Sequence, residues 1–125
     1  MEYSIEADEE FLRVKVSGRD TDRPPSEMCA AVLVESRKQG RDRILIELDQ
    51  KFPLSPGNQF ALVTRLPEIG FTVQQRIALV HRTPEMQDAN QFINLVARNH
   101  GVQVRNFAGL DLAMAWLRGE TDALA

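Results

Sequence analysis

Hydrophobic and polar residues alternate near the start of the chain. Segment 11–17 places polar residues such as Arg13 and Lys15 between apolar ones, and this period of two is typical of a half-buried strand. A second short apolar segment, Tyr3–Ala7, precedes it, and three acidic residues separate the two. The pattern predicts a β-hairpin.

The middle of the chain predicts two helices with a strand between them. A helix should begin among residues 24–26, where proline and serine suit a first turn, and end at Gly40. Arg43–Asp49 has an unbroken apolar centre, which is typical of a strand covered on both faces. We expect this strand to be central. A loop over Lys51–Gly57 should lead to a second helix that ends before Pro67.

From residue 76 onward the pattern reads strand, helix, strand, helix. The strands are Arg76–His81 and Val102–Phe107, and the helical patterns cover 83–100 and Leu110–Leu117. Parallel strands need crossover connections, and helices usually supply them. The order therefore predicts an α/β sheet rather than a helical bundle or a β-sandwich.

Two stretches of core-packing residues carry a family resemblance. They are Arg76-Ile77-Ala78-Leu79-Val80, and Phe107 followed by Ala113-Met114-Ala115-Trp116-Leu117. With the order of the elements, they make nearly the whole chain similar to SpoIIAA-like proteins of the STAS superfamily. The resemblance implies a βα fold with an antiparallel first strand, which is shared in outline with lipid-binding CRAL-TRIO domains.

We therefore expect one α/β domain over residues 1–119, followed by a frayed tail at 120–125. Its sheet should be mixed and five-stranded, with an antiparallel first strand and then parallel βα units, and about four helices should pack on it.

The better-known relatives in this family are anti-sigma factor antagonists. Their phosphoacceptor serine lies directly before a glycine at the start of the helix that follows the central strand. Matched on Gly57, that position holds Pro56, which has no hydroxyl, and the position of an acidic residue holds Leu54. Ser55 supplies a nearby hydroxyl, and helix capping explains it better than phosphorylation. The chain thus lacks the usual phosphoacceptor serine.

Polar residues follow two of the predicted parallel strands at their ends. Ligands of open α/β sheets bind beyond the carboxyl ends of the strands, and a helix N-terminus there directs free N–H groups toward an anion. Ordinary solvated loop residues are the alternative interpretation. The candidate ligand or anion site comprises Lys51, Ser55, Gly57, Asn58, His81 and Arg82.

Apolar residues concentrate around the second helix and its flanking loops. Exposed aromatic residues there would favour a protein interface, such as that of a homodimer, whereas inward-facing ones around a void would favour an apolar ligand. Core packing is the third interpretation. The candidate pocket or interface comprises Phe52, Leu54, Phe60, Leu66, Ile69 and Phe71.

Composition narrows the possible functions. The chain has 125 residues, and 15 Lys and Arg against 18 Asp and Glu give a net charge of -3, which argues against nucleic-acid binding. A single cysteine, Cys29, permits no internal disulfide and fits a reduced, cytoplasmic setting. No apolar run approaches the roughly 20 residues of a membrane-spanning helix.

Catalytic and metal-binding motifs do not stand out. There is no histidine pair at helical spacing and no Gly-x-Ser-x-Gly turn, and Cys29 lies in an apolar helical segment. We expect no catalytic residue, metal or cofactor. The favoured function is a non-enzymatic, STAS-like interaction module that forms a homodimer, and the alternative is a carrier of an apolar or amphipathic, lipid-like small molecule.

Overall fold

The computed structural model describes residues 2–19, 25–52, 56–80 and 90–120. In chain order, the elements are β1 Glu2–Ala7, β2 Leu12–Arg19, α1 Pro25–Gln39, β3 Arg43–Phe52, α2 Pro56–Ile69, β4 Arg76–Val80, α3 Asn90–Asn99, β5 Gln103–Phe107 and α4 Leu110–Leu117. The five described strands lie in the order β1-β2-β3-β4-β5. β1 is antiparallel to β2, and all other pairs are parallel. The predicted mixed α/β sheet is confirmed.

Two layers of helices enclose this sheet. On one face α1, α2 and α3 pack over β2 to β5 and form the first core. It comprises Leu12, Val14, Val16, Met28, Cys29, Val32, Leu33, Ile44, Ile46, Val63, Leu66, Phe71, Ile77, Leu79, Val96, Ala97, Val102 and Val104. On the other face α4 packs over β3, β4 and β5 and forms the second core. It comprises Phe11, Leu45, Ala78, Val80, Phe107, Ala113, Trp116 and Leu117.

The central strand β3 contributes to both cores. Ile44 and Ile46 lie in the first core, and Leu45 between them lies in the second. Successive side chains of a strand point to opposite faces, so this run can be apolar throughout only where both faces are covered. The prediction of a central strand is confirmed.

The hairpin between β1 and β2 is closed by its own side chains. Asp8 Oδ1 accepts hydrogen bonds from the backbone N–H of Glu10 at 2.7 Å and of Phe11 at 2.6 Å. Burial would raise the pKa of Asp8, but these two N–H donors, with Arg13 and Arg41 nearby, hold the pKa below its ordinary value.

An ion pair joins the hairpin to the end of the last helix. Arg118 donates two hydrogen bonds to the carboxylate of Glu10, at 2.7 and 2.8 Å. Its guanidinium carbon also lies 5.5 Å from the centre of the Phe11 ring. Because Arg118 donates to it, the pKa of Glu10 lies below the ordinary value.

Helix α2 and the strand before it each correct one expectation. The helix begins at Pro56, as expected, but continues through Pro67 to Ile69, because a proline this close to the helix end removes only one backbone bond. Its end is closed by Gly70 N–H, which donates to both Leu66 O and Pro67 O at 3.1 Å, and by Phe71 N–H, which donates to Leu66 O at 3.0 Å. Strand β3 extends through Phe52, beyond the predicted end at Asp49.

The remaining boundaries largely match the predictions. Helices α1 and α3 are followed by Gly40 and Gly101, both with positive φ, and the apolar stripe of α4 faces the second core. The predicted start of the third helix falls among residues 81–89, outside the described residues. None of the helices in the described ranges has the length and apolar character that a bilayer crossing requires.

We predict that Gly70→Ala is destabilising. Gly70 has φ of 121°, and a Cβ there would lie 3.0 Å from Leu33 Cδ2 and 3.3 Å from an Arg37 nitrogen. Backbone strain and crowding should lower the free energy of unfolding by about 1–2 kcal/mol. Gly109→Ala is the matched control, since its φ is -139° and nothing lies within 4 Å of the added carbon. Equal urea midpoints for the two variants would contradict the prediction.

We also predict that Asp8→Ala lowers the free energy of unfolding by about 1 kcal/mol, because two N–H groups lose their acceptor. Asp8→Asn keeps an Oδ1 acceptor and should retain most of the stability.

The two variants also separate the charge of Asp8 from its hydrogen bonds. Because the folded-state pKa of Asp8 is lowered from 3.8, its ionisation stabilises the wild type above that value. This contribution is lost as the pH falls through the lowered pKa. Urea unfolding at neutral pH and down to about pH 3 checks both effects. A pH dependence of Asp8→Asn identical to that of wild type would contradict the electrostatic part.

Candidate functional site

The carboxyl end of β3 lies beside β2, with which residues 48–50 and 52 are paired. Within the described residues, β3 pairs with β4 as far as Glu47 and Val80. Ligands of open α/β sheets bind beyond the carboxyl ends of the strands.

A β-bulge interrupts the extended part of β3. Gly18 pairs with Gln50 and Arg19 pairs with Phe52, so Lys51 faces no residue of β2. A bulge inserts one extra residue into a strand, and bulges are frequent next to functional sites. Lys51, which the sequence analysis placed in the candidate anion site, is this extra residue.

Three members of the candidate anion site lie in described elements. Lys51 lies at the end of β3, and Gly57 and Asn58 lie in the first turn of α2, only a few residues later along the chain. Ser55, His81 and Arg82 lie outside the described residues. An anion site at this edge stays a prediction.

The candidate apolar set is divided between the interior and the surface. Leu66 and Phe71 are buried in the first core, and the half-buried Ile69 packs against it. Phe60, by contrast, exposes 43% of its surface near the start of α2. Phe52 belongs to β3, and Leu54 lies outside the described residues.

The thiol of Cys29 is buried in the first core. Burial raises its pKa to about 12, because the charged thiolate is disfavoured away from water. A thiol must ionise to act as a nucleophile or metal ligand, so this environment suits a structural role. Within the described residues, no three His, Cys, Asp or Glu side chains are grouped to hold a metal ion.

His100 follows the last residue of α3. A ring N–H on Nδ1 donates to Val96 O at 2.9 Å, which satisfies a carbonyl at the helix end. This contact suits a structural role for His100.

A cluster of two arginines and a tryptophan was missed by the sequence analysis. The guanidinium carbons of Arg76 and Arg105 each lie 5.3 Å from the centre of a Trp116 ring. Arg76 also donates a hydrogen bond of 2.7 Å to the backbone oxygen of Trp116. These contacts fix the end of α4 against β4 and β5. The sequence gives little indication of this cluster. Its members come together only because one residue from each of two strands faces the same helix.

The chain was compared with protein families, curated proteins and solved structures. No family model matches the chain, and no curated protein matches it. Among solved structures, it is similar to that of the anti-sigma factor antagonist SpoIIAA in its unphosphorylated form, with 19% sequence identity and a TM-score of 0.49. The match covers 94% of this chain and 99% of that chain.

We predict that Cys29 in the native protein resists a thiol reagent such as iodoacetamide at neutral pH, because burial both blocks access and raises its pKa. The same thiol should react readily in urea. Mass spectrometry of the intact chain after timed exposure measures both rates. Native labelling as fast as that of the unfolded chain would contradict the burial.

Proposed function

We propose that this protein is a non-enzymatic, cytoplasmic interaction module of STAS type that forms a homodimer through the outer surface of α2. The observation that carries this proposal is the exposure of Phe60. Folding normally removes large aromatic side chains from water, and exposed ones concentrate at protein interfaces.

The position of α2 supports this assignment. It packs against both α1 and α3 and is therefore the middle helix of the first layer. Its inner side places Val63 and Leu66 in the first core, while Phe60 remains 43% exposed. Among the described side chains of the neighbouring helices, Val34 on α1 and Leu95 on α3 are also exposed. The layer thus presents apolar side chains from α1, α2 and α3, which a protein partner can cover.

Charged residues on α2 suit a second copy of the same chain. Arg65 and Glu68 are both exposed on α2. A dimer with twofold symmetry places the same surface of each copy against the other. The cation of one copy can then approach the carboxylate of the other, so the surface is complementary to itself.

The carrier of an apolar small molecule is the second candidate, and the described residues favour it less. Leu66 and Phe71, which would have lined an internal pocket, pack into the first core with residues of the sheet and of all three helices. Their burial is explained by folding. Among the members of the set whose side chains are described, Phe60 is the most exposed.

We predict that Phe60→Lys weakens the dimer about tenfold or more, because it places a charge in an apolar contact. Sedimentation or native mass spectrometry over a concentration series measures the effect. Leu112→Lys is the matched control, since Leu112 is 50% exposed on α4, over the opposite face of the sheet. Both variants should unfold within about 0.5 kcal/mol of wild type, as surface substitutions usually do.

Two results would contradict the proposal. If the wild type is monomeric at every concentration, the protein does not form the proposed homodimer. If both variants weaken the dimer equally, the interface does not lie on α2. A reproducible adduct mass that disappears on denaturation would instead support the carrier.

A further inference from the structure

A groove of about 370 Å³ lies at the edge of the sheet formed by β5. It is lined by Val73, Arg98, Val102, Gln103, Arg105 and Trp116. The described lining residues belong to α3, β5 with the residue before it, α4 and the connection before β4, and none of them belongs to α2. The groove is therefore a second surface, distinct from the one proposed for dimer formation.

The charge of this groove is positive. Among its described lining residues the charged ones are Arg98 and Arg105, and Arg76 lies on the same Trp116 ring as Arg105. The whole chain carries a net charge of -3, so the charge of the groove is opposite in sign to the net charge of the chain. Arginines present paired N–H donors that match the two oxygens of a carboxylate.

An apolar floor lies beneath the arginines. Val102 and Trp116 are almost completely buried, whereas Val73 at the rim is largely exposed. An occupant that covered Val73 would remove apolar surface from water. Arginines above an apolar floor are suited to a ligand with both acidic and apolar groups.

The edge strand adds a third kind of contact. β5 is the last strand of the described sheet, and among the described residues its strand neighbour is β4. Alternate N–H and C=O groups of an edge strand point away from the sheet and can pair with an added strand. Extended peptides bind many proteins in this way, with backbone bonds giving affinity and side-chain pockets giving selectivity.

We propose that this groove binds an extended acidic segment of a partner protein, which pairs with β5 as an additional strand. Side chains on one face of a strand recur every second residue. A segment that alternates acidic and apolar residues can therefore direct one type toward the arginines and the other toward the rim at Val73. A free anion would use the arginines alone and leave the strand edge and the apolar rim uncovered.

The test uses the full chain and a short capped peptide that alternates Glu and Val. Amide NMR shifts of the labelled protein should move saturably at Gln103–Phe107 and at the indole N–H of Trp116. We expect a dissociation constant of about 0.1–1 mM, as is usual for a short segment. The same peptide with alternate backbone nitrogens methylated should not bind, because it cannot pair as a strand.

Charge is tested by Arg98→Glu, which should weaken binding about tenfold. Lys38→Glu is the matched control, since Lys38 lies in the last turn of α1 as Arg98 lies in the last turn of α3. Both variants lose a cation at a helix end. Circular dichroism establishes that each remains folded.

Three results would overturn the proposal. The first is an absence of shifts in the wild type at several times the expected dissociation constant. The second is equal binding by the methylated peptide or by inorganic phosphate, which would make the groove a site for small anions. The third is equal weakening by Arg98→Glu and Lys38→Glu, which would show only nonspecific attraction.

Discussion

The structure depends on one strand that is apolar on both of its faces. β3 is the middle strand of the described sheet, and its successive residues Ile44, Leu45 and Ile46 enter alternate cores. Neither core is complete without it. Because both faces of β3 must be covered, helices lie on both faces of the sheet, and parallel strands flank β3. A polar residue at any of these three positions would have to lose its water without gaining a partner.

The two proposed surfaces follow from the unequal helical cover. Three helices form the layer over one face, so their outer surfaces are available for contact with a flat partner. On the other face α4 packs over β3 to β5 and anchors Trp116 beside the edge strand. A broad helical surface favours contact between whole domains, whereas an open strand edge favours an extended segment. The two proposed surfaces would therefore bind partners of different shape, one a folded domain and the other an extended segment.

Sequence patterns predicted the elements and their order well, because apolar periodicity records which faces are buried. They did not predict the exposure of Phe60. Phe60, Val63 and Leu66 form a series with a spacing of three, but that spacing drifts about 60° per step around a helix with 3.6 residues per turn. Phe60 therefore leaves the buried side that Val63 and Leu66 share. The bulge at Lys51 and the arginines on Trp116 depend on strand register, which apolar periodicity alone does not specify.

The contact between the first hairpin and the last helix has a consequence for synthesis. Phe11, at the start of β2, shares the second core with Leu117 of the final helix, and Glu10 holds Arg118 just beyond it. A ribosome must therefore release more than a hundred residues before this face of the sheet receives its helix. Until then this apolar face of the nascent chain is exposed to water. Exposed apolar surfaces of this kind promote aggregation and are bound by chaperones.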